Sequence, residues 1–476
     1  MNTVIFGAGL TGLTCAWKLS ESLGDRVVLI EKEEAVGGLI RTIHRDGYVF
    51  DLGSHRIHEL FPEDIFKIIS DLCEDSILKN ERNGQLFTNG QFIKYPPSIP
   101  NILLGFGIKD FIKLSLDYII RFPSHIRKSH IKAESYEVYM ISLVGRGIYE
   151  RLFKPYALKL WGIDPRLVAP NPAESRNSNL ELPYLLKELL WKLRKGSTHY
   201  YYYPRDGMGS LAEGLKKRFL QNGGRLLLST KIEGVKCDSQ NNVREIVIKN
   251  SSGKSSDIPC GRLISTINPD GLLKLLAAGG TRVKIPLDSG LSYRSLRLLY
   301  METDDSVPCQ NETFYFPEPQ YTIGRVSELS KYSPILNQSK ESTVLTIEIP
   351  CTEGDPVWSM PDKEIFERVK KELIGVNRLQ GDANNSRFLY SFFLRDVYPV
   401  YRLGWKPHFL EKYDYLNGLN NLFQVGRNAL YLHCNMDHCM LMALRLAAQL
   451  IEDDSTNTQK EWLRISEDFF KFRLRY

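Results

Sequence analysis

The sequence is poor in the features that mark several classes of protein. Its 476 residues hold only eight cysteines, and no two of them form a CxxC pair. Scattered cysteines argue against a disulfide framework and a zinc site, so we expect a reduced, cytoplasmic chain without a metal. The formal net charge is only +6, a balance that accommodates an anionic ligand but does not indicate a nucleic-acid partner.

Long hydrophobic runs are also missing. The most apolar segment, residues 99–122, carries two lysines and two aspartates, and such charges exclude an ordinary membrane-spanning helix. We expect this segment to be an amphipathic helix that packs on the protein, with peripheral membrane contact as the alternative. Because the first predicted strand begins within a few residues of Met1, we expect no signal peptide.

The N-terminal segment carries the clearest motif. "NTVIFGAGLTGLTCAWKLSES" places Gly7, Gly9 and Gly12 at G-x-G-x-x-G spacing between a β-branched strand and a helical run. Glycines at this spacing allow a tight turn, let a pyrophosphate approach the backbone, and let helix and strand pack closely. Glu31 follows 19 residues after Gly12, at the end of the strand "RVVLIEK", where a carboxylate can accept hydrogen bonds from a ribose. The pattern predicts a dinucleotide cofactor and disfavours NADP.

The residues after Glu31 indicate which dinucleotide is bound. Gly37 and Gly38 are followed by Arg41 and by "GYVFDLGSHRIH". This arrangement resembles the N-terminus of the flavoproteins that include amine oxidases, protoporphyrinogen oxidase and phytoene desaturase. The resemblance implies FAD rather than NAD, with the glycine pair close to the cofactor and Arg41 facing its phosphates or its flavin.

The C-terminal segment "NLFQVGRNALYLHCNMDHCMLMALRLAAQL" is similar to the part of these flavoproteins that returns to the cofactor. The resemblance implies that Gly426 and Arg427 lie by the pyrophosphate. A helix beginning near Met436 and Asp437 would then point its positive N-terminal end at the flavin, where it stabilises negative charge. We expect tight, non-covalent FAD; attachment through Cys434 or Cys439 is the less favoured alternative.

A cofactor held by both ends of the chain implies a discontinuous binding domain. The resemblance implies an α/β fold, a Rossmann-like FAD-binding domain with an inserted α+β substrate domain, and it places Val235 on the adenine side of FAD. The basic amphipathic tail should dock on the body, with membrane or partner contact as the alternative. The expected boundaries are 1–80, 204–270 and 420–452 for the FAD-binding domain, 81–203 and 271–419 for the substrate domain, and 453–476 for a helical C-terminal tail.

Segments in the middle of the chain are similar to UDP-galactopyranose mutase, a flavoenzyme that rearranges a sugar ring without net oxidation. The segment "FDLGSHRIHE" matches the place where that enzyme has a histidine near the flavin, and "FKPYALKLWGIDP" is similar to its aromatic segment that ends in Trp-Gly. The segments "LSYRSLRLLY" and "YTIGRVSE" resemble its two arginine-bearing strands, through Arg294 and Arg325. "VYPVYRLGW" is more like protoporphyrinogen-oxidase-like flavoproteins. The candidate catalytic residues from these segments are His55, Trp161, Arg294, Arg325 and Tyr398.

Each candidate also has a structural alternative. His55 and Trp161 could be interior residues without a catalytic role. Arg294 and Arg325 lie in apolar surroundings where an unpaired charge is costly, so each requires an anionic partner. That partner is either a structural carboxylate or a phosphate or carboxylate of a ligand.

Two reactions follow from these resemblances. The first is an FAD-dependent oxidoreductase, in which a small-molecule substrate transfers a hydride to flavin N5. The alternative is a non-redox mutase that uses reduced FAD and a nucleotide-sugar whose diphosphate the two arginines hold. A flavin-binding protein without catalysis is the third hypothesis. The substrate is expected to be a small molecule, and the oligomeric state stays open.

The position of Glu31 generates a first test. If its carboxylate accepts ribose hydrogen bonds, Glu31→Ala should weaken FAD binding by about 1.5–3 kcal/mol, the range for hydrogen bonds to a charged group. Catalysis by fully loaded enzyme should change little. Titration of the FAD-free protein with FAD measures the effect. An unchanged FAD dissociation constant would make the acid an ordinary surface residue.

Overall fold

A computed structural model of the chain describes residues 1–95, 134–170, 200–287, 290–336, 342–452 and 458–472. The expected amphipathic helix at 99–122 lies outside these residues. None of the helices in the described ranges has the length and apolar character that crossing a bilayer requires.

The strands in these ranges are β1 (Asn2–Phe6), β2 (Val27–Ile30), β3 (Thr42–Arg45), β4 (Tyr48–Asp51), β5 (Ile57–His58), β6 (Ile77–Glu81), β7 (Gly84–Thr88), β8 (Gln91–Tyr95), β9 (Tyr200–Pro204), β10 (Arg225–Leu227), β11 (Lys231–Cys237), β12 (Val243–Lys249), β13 (Ser255–Ser265), β14 (Tyr293–Thr303), β15 (Thr313–Tyr315), β16 (Arg325–Glu328), β17 (Thr343–Cys351), β18 (Ser386–Pro399) and β19 (Leu422–Gln424). The helices are α1 (Leu10–Leu23), α2 (Glu63–Leu72), α3 (Tyr136–Val144), α4 (Arg146–Ile148), α5 (Lys154–Trp161), α6 (Gly209–Gln221), α7 (Pro269–Ala278), α8 (Pro356–Ser359), α9 (Asp362–Gly375), α10 (Trp405–Asn417), α11 (Met436–Glu452) and α12 (Thr458–Ser466).

The first sheet is parallel at its centre. Strands β10, β2, β1 and β13 lie side by side in that order, and β19 pairs with the C-terminal half of β13. The apolar run "VVLI" of β2 is buried along its whole length, as expected for a parallel strand covered on both faces. The N-terminal half of β13 instead forms an antiparallel ribbon with β12 and β11. This sheet confirms the predicted Rossmann-like α/β class.

Helix α1 connects β1 to β2 and packs between α11 and α6. The third motif glycine lets α1 approach the loop that precedes it, because a Cβ at Gly12 would lie only 1.9 Å from the carbonyl oxygen of Gly7. The close contact between the helix and the loop that precedes it therefore requires a glycine at the third position of the motif.

The second sheet has the strand order β18-β14-β17-β16-β15-β7-β8. Its pairs are antiparallel except β15 with β7. After Tyr293, every residue of β14 is buried, and helix α9 packs Ile365, Val369 and Leu373 into the hydrophobic cluster on this sheet. The antiparallel order brings residues distant in sequence, such as Glu348 of β17 and Arg325 of β16, into register.

A buried carboxylate fastens the short β3–β4 ribbon to helix α6. Asp51 is fully buried and accepts hydrogen bonds from the hydroxyl groups of Thr42 and Tyr203 and from the backbone N–H of Met208, the last at 2.8 Å. Burial raises the pKa of Asp51, although these three donors oppose the shift. Since Asp51 ends β4, its contacts fix the start of the segment that leads to His55.

The C-terminal segment packs against the body of the protein. Trp462 of α12 is almost completely buried, and its indole N–H donates to the backbone oxygen of Gln424 at 3.3 Å. The hydroxyl groups of Tyr413 and Ser466 are 2.8 Å apart, and the Phe472 ring stacks on His438 of α11. The C-terminal segment therefore covers both β19 and the start of α11.

The contact between α6 and α2 provides a test of the packing. A Cβ at Gly214 would lie 2.3 Å from the backbone oxygen of Leu72, so Gly214→Ala should destabilise the protein by about 1–3 kcal/mol, despite the better helix propensity of alanine. Gly375→Ala is the matched control, because a Cβ there meets nothing within 4 Å. Urea unfolding measures both, and equal effects would contradict the packing described.

Candidate functional site

Two glycine segments form one backbone cradle at the N-terminus of α1. Gly9 and Gly37 form a parallel bridge, and the N–H of Gly37 donates to the carbonyl oxygen of Ala8 at 2.8 Å. Gly37 and Gly38 have φ of 105° and 54°, values that favour glycine. A Cβ at Gly9 would project into open space. The predicted motifs around Gly7 and Gly37 therefore meet, and they leave backbone accessible where a pyrophosphate could bind.

Glu31 lies beside this cradle, directly after β2. Its carboxylate accepts hydrogen bonds from the backbone N–H of Ala8 at 2.7 Å and from that of Glu33 at 3.1 Å. The acid is thus oriented by the glycine loop, at the strand end where its spacing predicts a contact with a ribose.

Arg41 follows the glycine pair and stacks its guanidinium on the Phe392 ring, 5.1 Å from the ring centroid. Its Nε is buried, with no hydrogen-bond partner in the described part of the chain. A buried donor without a partner costs about 1–3 kcal/mol. A ligand with acceptor oxygens would remove this cost.

The C-terminal motif closes on the same cradle. Gly426 has φ of 94°, and a Cβ there would lie 2.9 Å from the hydroxyl oxygen of Thr11 at the start of α1. Arg427 donates to the backbone oxygen of Val397 at 2.6 Å, while its buried Nε has no partner within the described ranges. Both ends of the chain therefore meet at one place.

Helix α11 begins next to this contact, at Met436. Asp437 in its first turn is 3% exposed, and its Oδ1 has no hydrogen-bond partner among the described residues. The glycine cradle, the acid after β2 and these unpartnered polar atoms together fit a large ligand with phosphates and hydroxyl groups, as FAD is.

Val235 is placed differently from the other predicted cofactor residues. Its side chain is fully buried on β11, and Gly279 after helix α7 approaches its backbone so closely that a Cβ there would lie 2.1 Å from the Val235 oxygen. A contact between Val235 and the adenine side of a cofactor stays a prediction.

His55 lies in the loop after β4, where its backbone N–H donates to the oxygen of Gly53 at 3.2 Å. Burial lowers the pKa of His55 to about 4, an effect that nearby Glu348 opposes and that Arg325 and Arg427 reinforce. The imidazole is therefore neutral at pH 7. Its Nδ1 is buried without a partner in the described structure.

Arg325 has a buried carboxylate as its partner. Its Nη2 lies 2.6 Å from Oε1 and 2.7 Å from Oε2 of Glu348, which is 4% exposed. Oε1 of Glu348 also accepts from the backbone N–H of Ser54 at 3.2 Å. The sequence left two kinds of anionic partner open for Arg325, a structural carboxylate or a ligand. The structure provides a structural carboxylate, that of Glu348. Glu348 was not a predicted site residue, although a lone acid inside the apolar run "TVLTIEIP" is a signal for a buried, paired charge.

Tyr398 joins these residues to the C-terminal motif. The guanidinium of Arg427 lies over its ring, 5.1 Å from the centroid, and the His433 ring is 5.4 Å away on centroids. Tyr398 also lies close enough to Arg325 for the two groups to interact electrostatically. The structure thus brings His55, Arg325 and Tyr398 together around Arg427 and Glu348.

Arg294 and Trp161 form a separate contact region. Arg294 donates to Thr352 Oγ1 at 2.5 Å and to Asp355 Oδ2 at 2.9 Å, and it lies against the turn at Gly162. Trp161 is 2% exposed and packs edge-on against Tyr136 at 4.8 Å. Arg294 therefore has its anionic partner within the protein, and a catalytic role for either residue stays a prediction.

Comparison with known proteins extends these observations. A family model described as flavin containing amine oxidoreductase matches residues 10–451. Protoporphyrinogen oxidase 1, chloroplastic, from Spinacia oleracea is 26% identical over 184 residues, 37% of this chain and 32% of that protein. A probable UDP-galactopyranose mutase from Klebsiella pneumoniae is 27% identical over 168 residues, 34% of this chain and 42% of that protein.

Among solved structures, a crystal structure of reduced UDP-galactopyranose mutase matches with a TM-score of 0.78 at 19% identity, and the match covers 98% of this chain and 97% of that chain. At this identity the likeness establishes the fold. The curated relatives are matched over less than half of their own length. The family match and these relatives confirm the predicted resemblance and the predicted flavin cofactor.

The lowered pKa of His55 makes stability depend on pH. Its folded pKa of about 4 lies below the usual 6.5, so the unfolded chain binds this proton first, and stability is lost as the pH falls from 6.5 to 4. His55→Gln should remove up to about 3 kcal/mol of that loss. Urea unfolding of FAD-free protein at both ends of this range measures it, with exposed His408→Gln as the control. Equal pH dependence in His55→Gln and wild type would contradict the assignment.

Proposed function

The chain belongs to the flavin containing amine oxidoreductase family, and from that premise we propose that it oxidises a small-molecule substrate by hydride transfer to FAD. The observation that carries this proposal is the meeting of both ends of the chain at one cradle, where Gly9, Gly37 and Gly426 adjoin buried polar atoms that have no hydrogen-bond partner among the described residues.

The residues present define how FAD would be held. The glycine loop and the N-terminus of α1 would bind the pyrophosphate, Glu31 would accept from the ribose, and the N-terminus of α11 would face the flavin. When bound, FAD supplies an acceptor for a hydride at N5. We propose that the FAD-binding part comprises residues 1–80, 204–270 and 420–452, and that the inserted segments bind the substrate.

His55 and Arg325 lie next to the proposed flavin site, where they would contact the substrate. Neutral His55 can accept or donate a hydrogen bond without adding charge. Arg325 is held by Glu348, while its own side chain is 25% exposed, so it can still orient one acidic group of a substrate. Because Glu348 balances the charge of Arg325, the pair suits a neutral or singly charged group better than a diphosphate. This balance favours net oxidation over the mutase reaction.

The nucleotide-sugar mutase remains the second candidate. It is supported by the segments around His55, Trp161 and Arg325 and by the similarity to the probable mutase from Klebsiella pneumoniae. In that reaction Arg294 and Arg325 would have to hold the diphosphate, and each already has a carboxylate partner in Asp355 or Glu348. The diphosphate would therefore have to displace these contacts.

Anaerobic flavin spectroscopy tests the proposal. FAD-loaded protein is mixed with amines, with porphyrinogens and with UDP-galactose, and loss of the oxidised flavin absorbance is followed. We expect a substrate of the first two classes to bleach the flavin, with one substrate oxidised per FAD reduced. When oxygen is then supplied as the acceptor, one equivalent of oxygen should be consumed per substrate oxidised. Conversion of UDP-galactose only by dithionite-reduced protein, with no acceptor consumed, would establish the mutase instead.

Arg325 gives the matching variant test. Arg325→Lys keeps the charge beside Glu348 but loses the planar fork, so the dissociation constant of the bleaching substrate should rise at least tenfold while FAD content stays near wild type. Arg378→Lys, whose parent side chain stacks on Phe314 in the hydrophobic cluster of the second sheet, is the control. Unchanged substrate affinity in Arg325→Lys would remove the arginine from the substrate site.

A further inference from the structure

Two cysteines meet at the start of helix α11. Cys434 lies in the loop before the helix, and Cys439 is the fourth residue of the helix. Their sulfur atoms are 3.7 Å apart, which is van der Waals contact. A disulfide bond of about 2.05 Å requires the two atoms to approach by less than 2 Å. The remaining six cysteines are also thiols.

The two thiols differ in access and in acidity. Cys434 is 3% exposed, whereas Cys439 is partly exposed. The hydrogen bond between them lowers the pKa of Cys439 and, together with burial, raises that of Cys434. An accessible thiol with a lowered pKa is the one that reacts first, and a neighbouring thiol in contact can resolve the product.

We propose that Cys434 and Cys439 are a redox modification site that closes to an intrachain disulfide by exchange with a small-molecule disulfide such as oxidised glutathione. The Cys439 thiolate attacks one glutathione sulfur and releases one glutathione thiolate. Cys434, losing its proton, then attacks Cys439 Sγ and releases the second. Two protein thiols are oxidised to one disulfide, and one oxidised glutathione is reduced to two thiols.

This site is placed to regulate FAD binding, a consequence that rests on the proposed function. The closed ring would enclose residues 435–438, which include the N-terminus of α11. Cys439 also interacts with the hydroxyl of Thr11, next to Gly9 and in contact with Gly426. Closing the disulfide moves the Cys439 sulfur towards Cys434 and disturbs both contacts, so the oxidised protein should bind FAD more weakly.

Peptide mapping tests the modification without reference to FAD. The tryptic peptide 428–445 contains both cysteines and no other. After folded protein is treated with oxidised glutathione and free thiols are alkylated, this peptide should be two hydrogens lighter and unalkylated, and dithiothreitol should restore both thiols. Cys434→Ser should instead trap one glutathione on Cys439. Cys309→Ser, which removes an isolated thiol bonded to the Asn311 oxygen, should leave disulfide formation unchanged.

A peptide 428–445 that stays fully alkylated while Cys309 takes up glutathione would overturn the proposal. The regulatory step has a separate readout, in which oxidised and reduced wild-type protein are titrated with FAD. The dissociation constant should rise at least tenfold on oxidation, and bound FAD should slow disulfide formation, as linkage requires. An unchanged dissociation constant with a mapped disulfide would overturn the regulatory step. Protein that binds no FAD in either state would instead contradict the proposed function.

Discussion

The arrangement of the candidate site depends on one buried charge, the carboxylate of Glu348. A carboxylate that is removed from water is tolerated only when its oxygens are bonded and its charge is matched. Here the backbone N–H of Ser54 and the guanidinium of Arg325 meet that requirement. Ser54 belongs to the loop that follows the β3–β4 ribbon, whereas Arg325 belongs to the second sheet. Glu348 therefore joins the two, and the position of His55 next to Ser54 follows from the same contact.

The fold was predictable to the extent that its determinants are local. The apolar run "VVLI" and the spacing of Gly7, Gly9 and Gly12 reflect contacts between neighbours in sequence, and they correctly predicted the parallel sheet and the helix that packs on it. The order of the second sheet was not predictable from such patterns. Its pairings join residues far apart in the chain, such as Tyr315 with Leu86, and alternation within a strand does not specify the partner strand.

The candidate site shows the same division. Gly7, Gly9, Gly12 and Glu31 were predicted as cofactor residues because backbone approach and strand ends impose residue types at fixed spacings, whereas Arg427 was predicted from the resemblance to flavoproteins. The need of Arg294 and Arg325 for anions was also foreseen, since both lie in apolar surroundings. Their partners, Asp355 and Glu348, could not be assigned, because several acids in the sequence would serve equally and only tertiary packing selects among them. The buried position of Asp51 and the contact between Cys434 and Cys439 were not predicted either, because they too depend on tertiary packing.

The pairing of charges also limits what the site can bind. If Glu348 neutralises Arg325 and burial keeps His55 neutral, the charges left near the start of α11 are those of Arg427 and Asp437, which both act on the neighbouring cysteines. The Nη2 of Arg427 bonds a backbone oxygen while its Nε has no partner in the described residues, so its positive charge is not cancelled by a carboxylate within hydrogen-bond distance among them. A cationic group without such a partner at the N-terminus of a helix favours negative charge nearby. A reduced flavin carries such charge, so Arg427, which forms no ion pair with a carboxylate of the described residues, fits the proposed cofactor, whereas Arg325, which is paired with Glu348, fits a substrate of low charge.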